Sequence, residues 1–114
     1  MGRSAVLALA REGVELFVSA RQEERLVRAC EEIAAETGAR VTPICADHSS
    51  PEGRERILAA CPEPDILIGT CSPPPMTADY RAITEAQWRD AIDISLLSPV
   101  AFMRPDTWPP RWRC

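Results

Sequence analysis

The first 21 residues constrain the fold most, because they place an amphipathic helix, a glycine and a short apolar strand in immediate succession. Val6, Leu9 and Ala10 fall on one helical face, and Gly13 stands where a helix is expected to end. Leu16-Phe17-Val18 then predicts a buried strand. A helix that runs through a glycine into a buried strand is typical of the second part of a βαβ unit. The segment therefore predicts an α/β fold.

The remainder of the chain continues this alternation of helices and strands. The apolar periodicity predicts helices at about 22–37, from Ser49 or Ser50 to Cys61, and at 84–97, and strands at 40–45 and 65–69. Gly38 is expected to end the first of these helices, and Glu52 could close a capping box on the second. Thr84 and Gln87 predict a capping box on the third, which Trp88, Ala91, Ile92 and Ser95 are expected to line on one side. Helices that alternate with strands at this spacing favour a parallel sheet. We expect one partial domain over residues 1–104. The last ten residues, 105–114, are rich in Trp, Pro and Arg and predict an irregular or disordered tail, an out-of-frame end or an aromatic-basic binding peptide.

Composition limits the partners and the compartment. The formal net charge is −4, so no basic face for nucleic acid is expected. The five cysteines form no CxxC pair and leave an odd one over, which predicts reduced thiols rather than a disulfide framework. No window reaches transmembrane length, and the apolar run near the start is too short for a signal peptide. We therefore predict a cytoplasmic protein with no membrane partner.

Two small clusters are candidate chemical sites. Cys45, Asp47 and His48 are close in sequence, but the chain has a single histidine and we predict no metal site. Cys71 and Ser72 are potential nucleophiles in a proline-rich loop, yet no base stands beside them. We expect that loop to shape the mouth of a pocket or to lie outside the sheet.

Several segments taken together resemble the short-chain dehydrogenase/reductase family, in particular its 3-oxoacyl-carrier-protein-reductase-like members. Residues 2–13 look like the end of the family's glycine motif and the helix after it. Ala46-Asp47 is similar to the aspartate after the third strand, 65–68 to the start of the fourth strand, and 88–97 to the fourth helix. The resemblance covers residues 1–104 and implies an incomplete Rossmann-like parallel sheet of about three strands and four helices.

The resemblance also implies a nicotinamide cofactor and three residues that bind it. Gly2 would be the last glycine of the phosphate-binding turn, and Asp47 would contact the adenine ring. The end of the second family strand is Ala20, so no carboxylate is present there to repel a 2′-phosphate. Arg21 beside it offers a guanidinium suited to that phosphate. We therefore expect NADP rather than NAD, or no cofactor bound by the chain alone.

Departures from the family pattern concern catalysis. The chain contains neither lysine nor asparagine, and its single tyrosine, Tyr80, is followed four places later by Thr84. The family's proton donor is a tyrosine paired with a lysine four residues on, whose charge lowers the tyrosine pKa. Residues 69–72 lack the family's asparagine turn, and Ser95 stands where the helix asparagine is expected. No catalytic residue is therefore predicted.

These departures leave two hypotheses. One is an NAD(P)-dependent oxidoreductase acting on a carbonyl or alcohol, with a 3-oxoacyl thioester as a candidate substrate and homo-oligomers usual for the family. The other is a non-catalytic remnant or an interaction-only fragment. In either case we expect the family's first strand and its C-terminal half to be missing. The predicted strand at 65–69 would then have no central neighbour. Because unpaired strand edges are unfavourable, we expect the isolated monomer to be marginally stable.

Overall fold

The computed structural model describes residues 2–70, 77 and 79–103. The chain divides into two compact units, residues 1–62 and 63–114. The predicted tail at 105–114 and most of the proline-rich loop lie outside the described residues. The proposed boundary at residue 104 stays a prediction.

The first unit alternates helices and strands as predicted. Its elements are α1 (Gly2–Arg11), β1 (Leu16–Ala20), α2 (Glu23–Thr37), β2 (Val41–Cys45) and α3 (Pro51–Ala60). The two strands pair in parallel, with Leu16 opposite Val41 and Ala20 opposite Cys45. The incomplete α/β fold with a parallel sheet is therefore confirmed.

The core of this unit lies between the helices and the sheet. Ala10 of α1, Leu16 of β1 and Ile33 of α2 form its buried centre. Val6 and Leu9 pack against them, so the predicted inner face of α1 is correct. A three-residue centre with a partly buried rim stabilises the fold mainly by removing apolar area from water.

The end of α2 shows why the chain turns back toward the sheet. Gly38 has φ 72°, in the left-handed region, and its backbone N–H donates to the carbonyl of Ala34. Thr37 donates its hydroxyl to the carbonyl of Ile33 at 2.7 Å. A glycine at this C-terminal position avoids the steric cost that a side chain brings to positive φ. The helix stop predicted at Gly38 is confirmed.

In the second unit, the predicted third strand is not formed. Residues 66–70 have no regular secondary structure, and the sheet of the described chain has two strands. Ile66 is 67% exposed, and Leu67 and Ile68 are also exposed. An apolar run becomes a strand only where a neighbouring strand accepts and donates its backbone hydrogen bonds. The described residues supply no such neighbour for this run.

The predicted fourth helix is present but is interrupted. It consists of α4 (Glu85–Ile92), a π turn (Asp93–Leu97) and α5 (Ser98–Phe102). Thr84 and Gln87 form the predicted capping box. Of the residues expected to line one side, Ala91 is buried, whereas Trp88 and Ile92 are each 46% exposed. The helix therefore carries a stripe of exposed apolar side chains.

Candidate functional site

A cavity of about 420 Å³ lies at the carboxyl ends of the two strands. Arg21 directly follows β1 and Asp47 follows β2 by two residues, so the parallel register brings both to the same edge. The backbone N–H of Ala46 donates to the carbonyl of Ala20 at 3.1 Å and extends the pairing beyond the strands. The lining residues are Arg21, Cys45, Ala46, Asp47, Ser50, Glu52, Gly53 and Arg56. The carboxyl edge of a parallel sheet is where α/β proteins bind ligands.

The Asp47 side chain is held in place in the lining of this cavity. Its Oδ1 accepts hydrogen bonds from the hydroxyl of Ser49 at 2.6 Å and from the backbone N–H of Ser49 at 2.9 Å. The Ser49 hydroxyl is the main cause that holds the pKa of the Asp47 carboxyl below its usual range. Partial burial opposes that lowering, and the backbone N–H of Ser49 and the charge of Arg21 support it. The carboxylate is therefore an anion that accepts hydrogen bonds at neutral pH.

The turn that carries Asp47 is locked onto the start of α3. Ser50 is the N-cap residue, and its hydroxyl accepts from the N–H of Gly53 at 3.0 Å. The same hydroxyl donates to the backbone carbonyl of Asp47 at 3.1 Å. A Cβ on Gly53 would clash with that carbonyl. Because Ser50 is the cap, Gly53 occupies the third helical position, and the capping box expected from Glu52 is not formed.

Arg54 holds the same turn from the other side. Its Nη1 donates to the carbonyl of His48 at 3.2 Å and to the carbonyl of Ser49 at 2.9 Å. Hydrogen bonds from a charged donor are stronger than neutral ones. The turn 47–50 is thus fixed by hydroxyls from within and by a guanidinium from α3.

The structure brings together two of the three residues predicted to bind a cofactor. Arg21 and Asp47 line the same cavity, whereas Gly2, at the start of α1, does not line it. Arg56, Ser49 and Gly53 were not predicted to belong to the site. Ser-Ser-Pro predicts a helix N-cap at Ser49 or Ser50, and this signal could have indicated that the turn lies at the cavity. Arg56 carries no such signal, because its place at the cavity depends on how α3 packs.

Among residues 2–70, 77 and 79–103, no group of three or more His, Cys, Asp or Glu side chains is placed to hold a metal ion. No described helix is both long and apolar enough to cross a membrane.

Helices that alternate with parallel strands, with a cavity at the carboxyl edge of the sheet, are typical of the α/β proteins that bind nucleotides there. The model of the family described as short chain dehydrogenase matches residues 1–105. The chain belongs to this family. The resemblance inferred from the motifs is therefore confirmed.

The chain is also similar to several known proteins. An uncharacterized oxidoreductase of Bacillus subtilis, YvaG, is 27% identical over an alignment of 108 residues. That match covers 91% of this chain and 39% of the relative. An alcohol dehydrogenase of the archaeon Thermococcus sibiricus, solved with 5-hydroxy-NADP, is 25% identical with a TM-score of 0.75. That match covers 85% of this chain and 43% of the other.

A third similar protein shares the fold. The L-sorbose reductase of Gluconobacter frateurii, solved with NADPH and L-sorbose, superimposes with a TM-score of 0.76 at 22% identity. The match covers 87% of this chain and 39% of the reductase. The chain thus spans about two-fifths of the length of the proteins it matches.

Proposed function

We propose that the cavity at the carboxyl edge of the sheet binds the adenosine part of NADP, as the cofactor-binding portion of an oxidoreductase. The observation that carries this proposal is the convergence of Arg21 and Asp47 on one cavity from two adjacent strand ends. A guanidinium there can hold a 2′-phosphate by two parallel hydrogen bonds. A carboxylate there can accept from the exocyclic amine of adenine.

The preference for NADP over NAD follows from the end of β1. Ala20 is the last residue of the strand, so no carboxylate stands where an NAD-binding site would use one for the ribose hydroxyls. Gly2 is proposed to face the pyrophosphate, because it begins α1, whose first turn contains no acidic residue. Two structural neighbours were solved with NADPH or 5-hydroxy-NADP, which supports the same cofactor class.

The reaction proposed for the family portion is hydride transfer between this cofactor and a carbonyl or alcohol, with a 3-oxoacyl thioester as the candidate substrate from the resemblance. Such a transfer requires a proton donor near the substrate oxygen. Tyr80 is 72% exposed in a short 3₁₀ turn, and the sequence contains no lysine to pair with it. We therefore propose that the 114-residue chain binds cofactor without turning over substrate by itself.

A second candidate function is that of an interaction-only fragment. Exposed apolar side chains on the helix of the second unit, including Trp88, Ile92 and Leu96, favour it. Exposed apolar stripes of this kind mark protein contact surfaces or surfaces that a larger fold covers. Failure of the chain to bind any adenine nucleotide, together with its association with an intact relative, would select this candidate.

The cofactor proposal is tested by titrating the chain with adenosine 2′,5′-bisphosphate and with 5′-AMP, followed by amide chemical shifts. We expect the chain to bind adenosine 2′,5′-bisphosphate more tightly than 5′-AMP. Arg21→Ala should reduce the ratio of the two affinities by about tenfold or more, the effect of losing a charge-assisted hydrogen bond. Arg25→Ala is the matched control, because Arg25 lies in α2 outside the cavity lining. Equal affinity for both nucleotides would contradict the NADP assignment.

Absence of turnover is tested separately with NADPH and an acetoacetyl thioester. We expect no absorbance loss above the uncatalysed rate. Measurable reduction of the ketone by the purified chain would show that it contains its own proton donor.

A further inference from the structure

The turn after β2 holds the Asp47 carboxylate by one of its two oxygens. Both hydrogen bonds from Ser49, through its hydroxyl at 2.6 Å and its backbone N–H at 2.9 Å, end on Oδ1. Neither bond uses Oδ2. A carboxylate tethered through one oxygen has a defined orientation, and its other oxygen keeps its acceptor capacity.

We propose that Ser49 is a positioning residue that orients Asp47 so that Oδ2 accepts from the 6-amino group of adenine, and that it thereby makes the cavity select 6-amino over 6-oxo purines. This inference rests on the proposed function of the cavity. It adds a residue that neither lines the cavity nor carries a charge.

Hydrogen bonds to the backbone of the turn around Ser49 fix the orientation of the Asp47 carboxylate. The carbonyl of Ser49 accepts from Nη1 of Arg54 at 2.9 Å, and Ser50 ties the carbonyl of Asp47 to the start of α3 at 3.1 Å. The backbone on both sides of the carboxylate is therefore fixed, and the hydroxyl of Ser49 fixes the side chain itself. Binding sites that hold a polar group in its bound orientation lose less affinity to ordering.

The selectivity follows from the chemistry of the two purines. An adenine amine donates to a carboxylate oxygen, whereas hypoxanthine places a carbonyl oxygen at the same ring position. Two acceptors cannot form a hydrogen bond, and a buried or half-buried polar group left unpaired costs affinity. A carboxylate that rotates freely can turn away from the 6-oxo group, so loss of the Ser49 hydroxyl is expected to relax the discrimination rather than to abolish binding.

The experiment compares adenosine 2′,5′-bisphosphate with inosine 2′,5′-bisphosphate on the full chain and on Ser49→Ala. We expect the unsubstituted chain to favour the adenine form by about tenfold, the effect of roughly one hydrogen bond to a charged group. In Ser49→Ala the preference is expected to fall to about threefold or less, because only the backbone N–H bond to Oδ1 remains. Ser49→Thr, which keeps the hydroxyl, should restore the preference. Ser95→Ala, an exposed serine of the second unit, is the control.

The outcomes separate the inference from the function on which it rests. Retention of the full adenine preference in Ser49→Ala would overturn the inference and leave the nucleotide site standing. An equal loss of affinity for both nucleotides in Ser49→Ala would overturn it as well, because Ser49 would then act on the fold alone. If the unsubstituted chain binds neither nucleotide, the proposed function fails and the inference fails with it.

Discussion

The two units of this chain bury their apolar residues to different extents. In residues 1–62, Ala10, Leu26 and Ile33 are each at most 5% exposed, and they lie in two helices that pack on a sheet. In the second unit, Ile66, Trp88 and Ile92 are all at least 46% exposed. The first unit contains helices on a parallel sheet, whereas the described part of the second contains helices and a 3₁₀ turn without a strand.

The polar contacts show the same difference. In the first unit Arg3–Glu32 and Arg11–Glu36 join α1 to α2 across 29 and 25 residues of sequence. The ion pairs described in the second unit, Arg81–Asp79 and Arg89–Glu85, join residues two and four positions apart. Long-range contacts couple elements into one cooperative fold, whereas local ones support a turn or a helix alone. The first unit is thus the part of the chain in which folding and the candidate site depend on each other.

The largest expected effect contrasts one substitution at two isoleucines. Ile33 is 2% exposed in the core of the first unit, and Ile92 is 46% exposed in α4. Ile33→Ala should lower the free energy of unfolding of the first unit by about 2–4 kcal/mol, as for other buried isoleucines. Ile92→Ala should change the free energy of unfolding by about 1 kcal/mol or less, since little apolar area is lost and alanine favours helix.

Amide hydrogen exchange resolves the two isoleucine effects, because it reports residues 2–62 and 79–103 separately. Similar losses of protection in both variants would contradict the contrast between the units. A loss of protection in the second unit on Ile92→Ala alone would show that its apolar stripe is covered in solution.

The difference between the two units also explains how much of the fold could be predicted from the sequence. The spacing of Leu26, Cys30 and Ile33 predicts the inner face of α2 because a helix is stabilised by its own hydrogen bonds, and all three are buried. The run Ile66-Leu67-Ile68 predicts a strand equally well, yet a strand needs a partner far away in sequence. Local patterns therefore indicate where an apolar segment lies, but they do not show whether its partner is present.

The candidate site, like the fold, was predictable only in part. Arg21 and Asp47 follow parallel strands, and the shared direction of those strands is enough to place them at one edge. The role of Ser49, the close approach of Gly53 to Asp47 and the position of Arg56 depend on where α3 packs. That packing has no periodic signal in the sequence.

The next effect compares two glycines. A Cβ at Gly53 would clash with the carbonyl of Asp47, whereas a Cβ at Gly69 meets nothing within 4 Å. In an exposed helix, Gly→Ala normally stabilises by about 1 kcal/mol. We expect the opposite sign for Gly53→Ala, a loss of about 1–3 kcal/mol in urea unfolding, because α3 must move away from the turn. Gly69→Ala should be neutral within about 0.5 kcal/mol. A stabilised Gly53→Ala would show that α3 has room to shift.

A smaller effect concerns the pH dependence of the two units. The pKa of the Asp47 carboxyl is lowered in the folded chain, first by the Ser49 hydroxyl, so its contribution to stability is present above the ordinary aspartate pKa. That contribution is lost as the pH falls below about 4 and through the lowered pKa. Asp47→Asn should therefore flatten the acid side of the stability curve of the first unit.

Asp79 is the matched control for this pH dependence. Its pKa is also lowered, by the Arg81 side chain, but the residue is exposed and its hydrogen bonds are local. Asp79→Asn should leave the acid unfolding of the first unit unchanged. If Asp47→Asn leaves the fall in the free energy of unfolding at acid pH unchanged, the contacts between Asp47 and Ser49 must persist equally in the unfolded chain.

The smallest expected effect concerns the ion pairs that join α1 to α2, and it tests whether they stabilise the contact between the two helices. Nη2 of Arg11 lies 2.7 Å from Oε1 of Glu36, and the two side chains are 61% and 48% exposed. Nη2 of Arg89 lies 2.6 Å from Oε1 of Glu85 within one helix. Glu36→Gln should cost the first unit about 0.5 kcal/mol, and Glu85→Gln should lower the helicity of α4 with no effect on the first unit. In about 1 M salt, where the Debye length is ~3 Å, both differences should nearly vanish. A cost for Glu36→Gln that persists in salt would show that the side chain stabilises the α1–α2 contact through packing of its stem rather than through its charge.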